Sequence, residues 1–196
     1  MDSQDEAAPA AAALAEARAA SATDDPVPDV QKKGTEPDPH HVARQIVLRQ
    51  LAMTPRSRAE LMQKLAQRGC TMDVAVTVLD RMTEVGLVDD QAYAQMLVRS
   101  QQAGRGLARG ALARELRTKG IEDHLAEEAI ASISEEDERA RARALVDKKL
   151  RAMHGLGIQV QTRRLAGMLA RKGYSSSITY AVIRDAIADA PEHLPD

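Results

Sequence analysis

Apolar and polar positions along this chain fall into one pattern written three times. Gly69, Gly120 and Gly173 stand 51 and 53 residues apart, each with a leucine eight residues before it (Leu61, Leu112, Leu165) and another four before it (Leu65, Leu116, Leu169). After each glycine an apolar residue returns at the fifth position (Val74, Leu125, Ile178), the ninth (Val78, Ala129, Val182), the tenth (Leu79, Ile130, Ile183) and the thirteenth (Met82, Ile133, Ala186). Spacings of three and four residues mark one face of an α-helix, so each glycine separates two amphipathic helices. Self-similarity at such a period points to tandem repeats that bury surface against their neighbours.

A further helix precedes each pair. Val42, Ile46, Leu48 and Leu51 predict a helix over 42–53, ended by Thr54-Pro55 because proline restricts the residue before it. Ser57 with Glu60 three positions on is a capping box that opens the next helix. Arg68 places a cation in that helix's last turn, and Gly69 supplies a left-handed stop. The third helix starts near Thr71 and ends at Gly86. The second repeat predicts helices at about 90–102, 107–119 and 123–133, with a glycine-rich turn after the first. The third, opened by Ser134 and Asp137 in a capping arrangement, predicts helices at about 137–152, 160–172 and 176–188. The expected fold is all-α: three tandem three-helix repeats, helix-turn-helix-like, over 41–88, 89–136 and 137–190. Residues 1–40, rich in Ala, Asp and Pro, predict a disordered acidic tail, and 191–196 a short C-terminal one.

Composition narrows the class. Phe and Trp are absent, so any core is aliphatic, with Tyr93, Tyr174 and Tyr180 the only aromatic residues. No apolar run approaches the roughly 18 residues of a membrane span, and the acidic, alanine-rich start is unlike a secretory signal. A single cysteine excludes an internal disulfide and fits a reducing cytoplasm, the expected location. The net charge of −2 conceals an asymmetry: −6 over residues 1–40 and +6 over 41–190. Within the latter the repeats carry +3, −3 and +6 in order. Two basic ends around an acidic middle matter for polyanionic partners.

Candidate chemistry is sparse. Cys70 follows the first glycine and aligns with Ile121 and Tyr174, where a small buried hydrophobe is expected. The five histidines show no metal-ligand spacing beyond the adjacent His40-His41. Gly104-Arg105-Gly106-Leu107-Ala108-Arg109-Gly110 lacks the glycine a dinucleotide cradle needs at Arg109 and follows no strand, so it reads as a turn. Glu115, Glu127, Glu128 and Asp147 suit solvated helix faces, and no carboxylate pair suggests acid–base work. No enzyme and no cofactor are expected. Bases are the residues with a pattern. Arg56, Arg58, Lys64 and Arg68 decorate the middle helix of the first repeat, and Arg163, Arg164, Arg171 and Lys172 that of the third. Without stacking aromatics, any affinity for nucleic acid is expected to be weak, electrostatic and salt-sensitive.

Three stretches resemble a known family. Thr54-Pro55-Arg56-Ser57-Arg58-Ala59-Glu60-Leu61 is similar to the opening signature of RecX regulatory proteins. The segment from Asp89-Asp90 through Tyr93-Ala94 to Gly104-Arg105-Gly106, then Glu115-Leu116-Arg117-Thr118-Lys119-Gly120-Ile121, resembles their central signature, with Tyr93 where phenylalanine is usual. Leu169-Ala170-Arg171-Lys172-Gly173-Tyr174-Ser175 resembles their closing motif. The resemblance spans about residues 42–188 and leaves the acidic tail outside.

The resemblance implies an elongated, curved array that associates, as a monomer, with the RecA filament on single-stranded DNA and restrains its ATPase and strand exchange. On that reading Arg56, Arg58, Arg105, Arg109, Lys119, Arg163, Arg164, Arg171 and Lys172 are the contact candidates, pairing with phosphate or acidic RecA side chains. The alternatives are a stand-alone helical DNA-binding protein, since helix–turn–helix pairs dock on duplex, and a helical scaffold whose bases are only solvated. The tail, on the first reading, competes for the basic surface and limits nonspecific DNA binding.

Overall fold

A computed structural model of the chain describes residues 38–190. The expected acidic tail, apart from its last three residues, and the expected C-terminal tail lie outside the described residues. Among these, the chain forms nine α-helices and no strand: α1 (Pro39–Met53), α2 (Arg58–Gln67), α3 (Met72–Glu84), α4 (Asp90–Arg105), α5 (Arg109–Thr118), α6 (Asp123–Ala131), α7 (Glu135–Leu150), α8 (Ile158–Arg171) and α9 (Ser176–Ala188), with a 3-10 turn over Arg151–Met153.

Local chemistry explains most boundaries. Asp38 caps α1, its carboxylate accepting the His40 N–H at 3.1 Å, and Pro39 presets the first helical position, so α1 starts three residues before its periodicity does. Ser57 and Glu60 form the capping box at α2 as expected, and Asp89, Ser134 and Ser175 cap α4, α7 and α9 with their side chains. The glycine-rich turn corrects an expectation: Gly104 stays helical, α4 runs to Arg105, and Gly106 alone takes the left-handed stop.

Each triplet closes around its own core. Ala43, Val47, Leu61, Leu65, Val78 and Leu79 lead the first cluster, Ala94, Leu112 and Leu116 the second, and Val146, Leu165, Leu169 and Ile183 the third. All six leucines flanking the repeat glycines are fully buried. Ala108, at the start of α5, packs in the third cluster rather than the second, so the cores are linked through the helix starts. Cys70 departs from expectation. It packs against the first core but is only half-buried, whereas the aligned Ile121 and Tyr174 are buried. No repeat precedes the first to cover it among the described residues.

Candidate polyanion site and the junctions that build it

The start of the middle helix of one repeat meets the glycine turn of the next, and this happens twice with the same chemistry. Between repeats one and two, Ser57 Oγ donates to the Lys119 carbonyl at 2.6 Å, and the Arg58 N–H donates to Asp90 Oδ1 at 2.8 Å. Between repeats two and three, the Ala108 N–H donates to the Lys172 carbonyl at 2.9 Å, and the Arg109 N–H to Glu138 Oε1 at 2.9 Å. Free N–H groups and the positive end of the helix dipole draw a carboxylate to each helix start. Here that carboxylate comes from the first helix of the following repeat. Glu138 is only 6% exposed, a depth an acid reaches when its hydrogen bonds are met.

Side-chain contacts reinforce both junctions. Lys119 Nζ donates to Glu60 Oε1 at 2.7 Å, and the Tyr93 hydroxyl to Glu60 Oε2 at 3.2 Å. Burial works to raise the Glu60 pKa, but the Lys119 ammonium, the Ser57 N–H and Tyr93 together hold it below the usual 4.5. Asp90 is pushed the other way, above 3.8, by burial that the Arg58 N–H only partly offsets. At the second junction Lys172 Nζ donates to the Arg105 carbonyl, and the Tyr174 hydroxyl to the Gly106 carbonyl at 3.2 Å. Burial first, then a nearby carboxylate (Glu60 or Glu138), pushes Tyr93 and Tyr174 up to about 12.

Several contact candidates are thereby drawn into structure. Arg58 reaches Asp80 at 2.7 Å, Arg109 donates to the Ile133 carbonyl beside Glu138, and Lys119 and Lys172 hold the junctions. Arg56 is half-buried, with an Nε that is shielded from solvent and lacks a hydrogen-bond partner. Arg105 pairs with Glu115 at 3.2 Å while staying largely exposed. Arg163, Arg164 and Arg171 are exposed.

The second junction leaves an open cleft of about 830 Å³ between the α4–α5 turn, α7 and α8. Arg105, Arg171 and Lys172, three of the contact candidates, line it together with Arg141 and Lys148 from α7, and no carboxylate lines it. Among the described residues no ion pair engages Arg141, Lys148 or Arg171. Sequence reading missed Arg141 and Lys148. Their signal was the seven-residue spacing, with Leu145 between them, which puts both on one helix face. Five cations in a concave wall concentrate positive potential where an extended anion can lie. Arg163 and Arg164 do not join this cleft; Arg163 lines a second one on the far side of α8. Among the described residues no group of three or more His, Cys, Asp or Glu is placed to hold a metal ion, and no helix is long and apolar enough to cross a membrane.

Comparison with known proteins agrees with this architecture. Family models described as the first, second and third three-helix domains of RecX match residues 43–82, 89–130 and 135–183. The chain is similar to the regulatory protein RecX of Streptomyces coelicolor, 49% identical over 169 residues that cover 84% of this chain and 90% of the relative. It is also similar to that of Thermobifida fusca, 46% identical over 145 residues, covering 74% of this chain and 78% of the relative. The crystal structure of RecX from Lactobacillus salivarius shares the fold with a TM-score of 0.70 at 21% identity, covering 76% of this chain and 97% of that one.

Proposed function

The chain belongs to the RecX family, and on that premise we propose that it is a non-enzymatic regulator that binds the RecA filament on single-stranded DNA and restrains its ATPase and strand exchange. One observation carries the reading: the cleft where Arg105, Arg141, Lys148, Arg171 and Lys172 converge with no acid among them. A filament of protein on DNA is a polyanion with a grooved surface, and a concave cationic wall is complementary to it. Ion pairs made there compete with contacts the filament needs to extend and turn over. The chain needs only to bind, because restraint requires no bond to be made or broken.

The junctions serve this reading indirectly. They fix α7 and α8 against the α4–α5 turn, so the five bases are held in place before a partner arrives. Such preorganisation avoids part of the ordering cost of binding. The acidic middle repeat gives Arg105 and the α4–α5 turn to this wall, and most of its other paired bases, Arg109, Arg117 and Lys119, are spent on carboxylates.

The test adds the protein, well below stoichiometric amounts, to RecA turning over ATP on single-stranded DNA. Wild type is expected to slow hydrolysis, and the exposed double variant Lys148→Glu/Arg171→Glu to lose most of that effect. Unaltered hydrolysis in the presence of folded wild type overturns the reading. Tight, sequence-discriminating binding to duplex without RecA favours the stand-alone DNA-binding alternative instead.

A further inference from the structure

The middle-helix start docks the next repeat twice, and among the described residues nothing docks on the third copy of that surface. At the first two junctions a small residue allows the approach: Ala59 lies against Gly120, and Gly110-Ala111 against Gly173. The aligned residues of the third repeat are Arg163 and Arg164. Moreover α8 begins at Ile158, four residues ahead of the positions where α2 and α5 begin. Two long cations and an added helical turn stand where the glycine turn of a following repeat would seat. A further repeat of this kind, including the first repeat of a second copy, would have to displace both side chains and the added turn to seat as at the first two junctions.

What remains has a chemistry unlike the five-base cleft. Ile158 and Tyr180 are 51% and 60% exposed and share a ridge between α8 and α9. On one side of this ridge lies a cleft of about 640 Å³ whose only charged lining residue is Arg163. Thr179, 4% exposed, lines the same cleft, and its hydroxyl is buried without a hydrogen-bond partner. The start of α8 beside it has Gly157 as its N-cap and no side-chain cap. At both formed junctions the first N–H of the equivalent helix, that of Arg58 or Arg109, takes a carboxylate from what docks on it, Asp90 or Glu138, and in α8 the free N–H groups stand one turn farther out.

We infer that this face binds an acidic protein segment carrying a bulky apolar side chain. The carboxylate sits at the α8 start beside Arg163, the Thr179 side chain turns its hydroxyl toward the cleft to donate to an oxygen of the segment, and the apolar side chain covers Ile158 and Tyr180. Exposed apolar surface with one lining cation favours such a segment over a phosphate backbone, which needs several bases and no greasy ridge. The segment is expected on the protein coat of the filament, an assignment that rests on the regulatory reading above.

The test is amide chemical-shift mapping on the full chain with three probes: a soluble peptide of alternating Glu and Leu, its Lys–Leu counterpart, and oligothymidine. The Glu–Leu peptide is expected to shift amides at Ile158, Thr179 and Tyr180, and the other two probes to leave them in place. Tyr180→Ala, Arg163→Glu and Thr179→Val are each expected to weaken the peptide about tenfold, equivalent to about 1.4 kcal/mol. Thr179→Val keeps the buried shape and removes an unpaired hydroxyl, so its fold stability is retained. Absent shifts on α8 and α9, or equal shifts with oligothymidine, overturn the proposal. Filament binding is measured separately: shifts with the peptide but no filament binding by wild type would remove the regulatory reading and leave the site.

Discussion

Gly69, Gly120 and Gly173 all take the left-handed conformation, with φ of 79°, 71° and 86°, yet they carry different burdens. A methyl group on Gly69 would meet open space, on Gly120 it would collide with the Ala59 side chain, and on Gly173 with the backbone and side chain of Ala111. Alanine is therefore expected to cost about 1–2 kcal/mol at Gly69 through the backbone alone. Losses should be greater at Gly120 and greatest at Gly173, where backbone cannot step aside. Urea denaturation of the three variants checks the order. Titratable residues add a pH signature at both ends of the scale. Tyr93 and Tyr174, raised from 10.0 to about 12, favour the neutral phenol in the fold. Their contribution is complete below pH 10 and is lost as pH rises through about 12, so Tyr93→Phe and Tyr174→Phe should flatten the alkaline fall in stability. Glu60 lies below 4.5, so its contribution is present above that pH and lost as acid passes its folded value. Glu60→Gln should flatten that acid limb, read by thermal melts from pH 7 downward.

Helices in this chain are capped partly from outside themselves. Ser57 read correctly as a local capping residue, and its hydroxyl also donates across the junction to the Lys119 carbonyl. Ser57→Ala is expected to cost about 1–2 kcal/mol by removing the cap. Glu138→Ala leaves the Arg109 N–H without its partner and is expected to cost about 1–3 kcal/mol. Both are measurable by chemical denaturation. Leu65→Ala, Leu116→Ala and Leu169→Ala each open a cavity at a fully buried site, for an expected loss of about 2–5 kcal/mol. Glu60 was legible as the third residue of a capping box, since that signal spans four positions. Its bond to Lys119 spans 59 residues and depends on where the repeats touch, which no local pattern encodes. The same limit hid Glu138, which stands in the acidic first turn of its own helix with nothing local to mark its partner.

Across the whole molecule, charge is sorted by what each repeat has to do. The bases of the second repeat are mostly engaged by internal carboxylates or carbonyls, while Arg141, Lys148 and Arg171 of the third are exposed or half-exposed in one cleft. If these three contact phosphate, affinity for single-stranded DNA should fall steeply with salt. Each contact removed by charge reversal should then lower the magnitude of the log–log salt slope by about 0.7. Titrations with Lys148→Glu and Arg171→Glu at several ionic strengths check this. A slope unchanged in either variant would place the contacts elsewhere.

Sequence by itself determined the number of repeats, the helical class, the leucines of each core and the glycine stops, because all of these follow from spacing within a few turns of chain. It also explained Arg68 before the first glycine as a helix-end charge. Only the tertiary structure decided that Lys119 and Lys172 fasten one repeat to the next, that Cys70 is half-covered, and that Arg105, Arg141, Lys148, Arg171 and Lys172 share a wall. The physical reason is range. Helix geometry is set by neighbours three or four residues apart, whereas a junction or a charged cleft is set by which surfaces meet after the helices have packed.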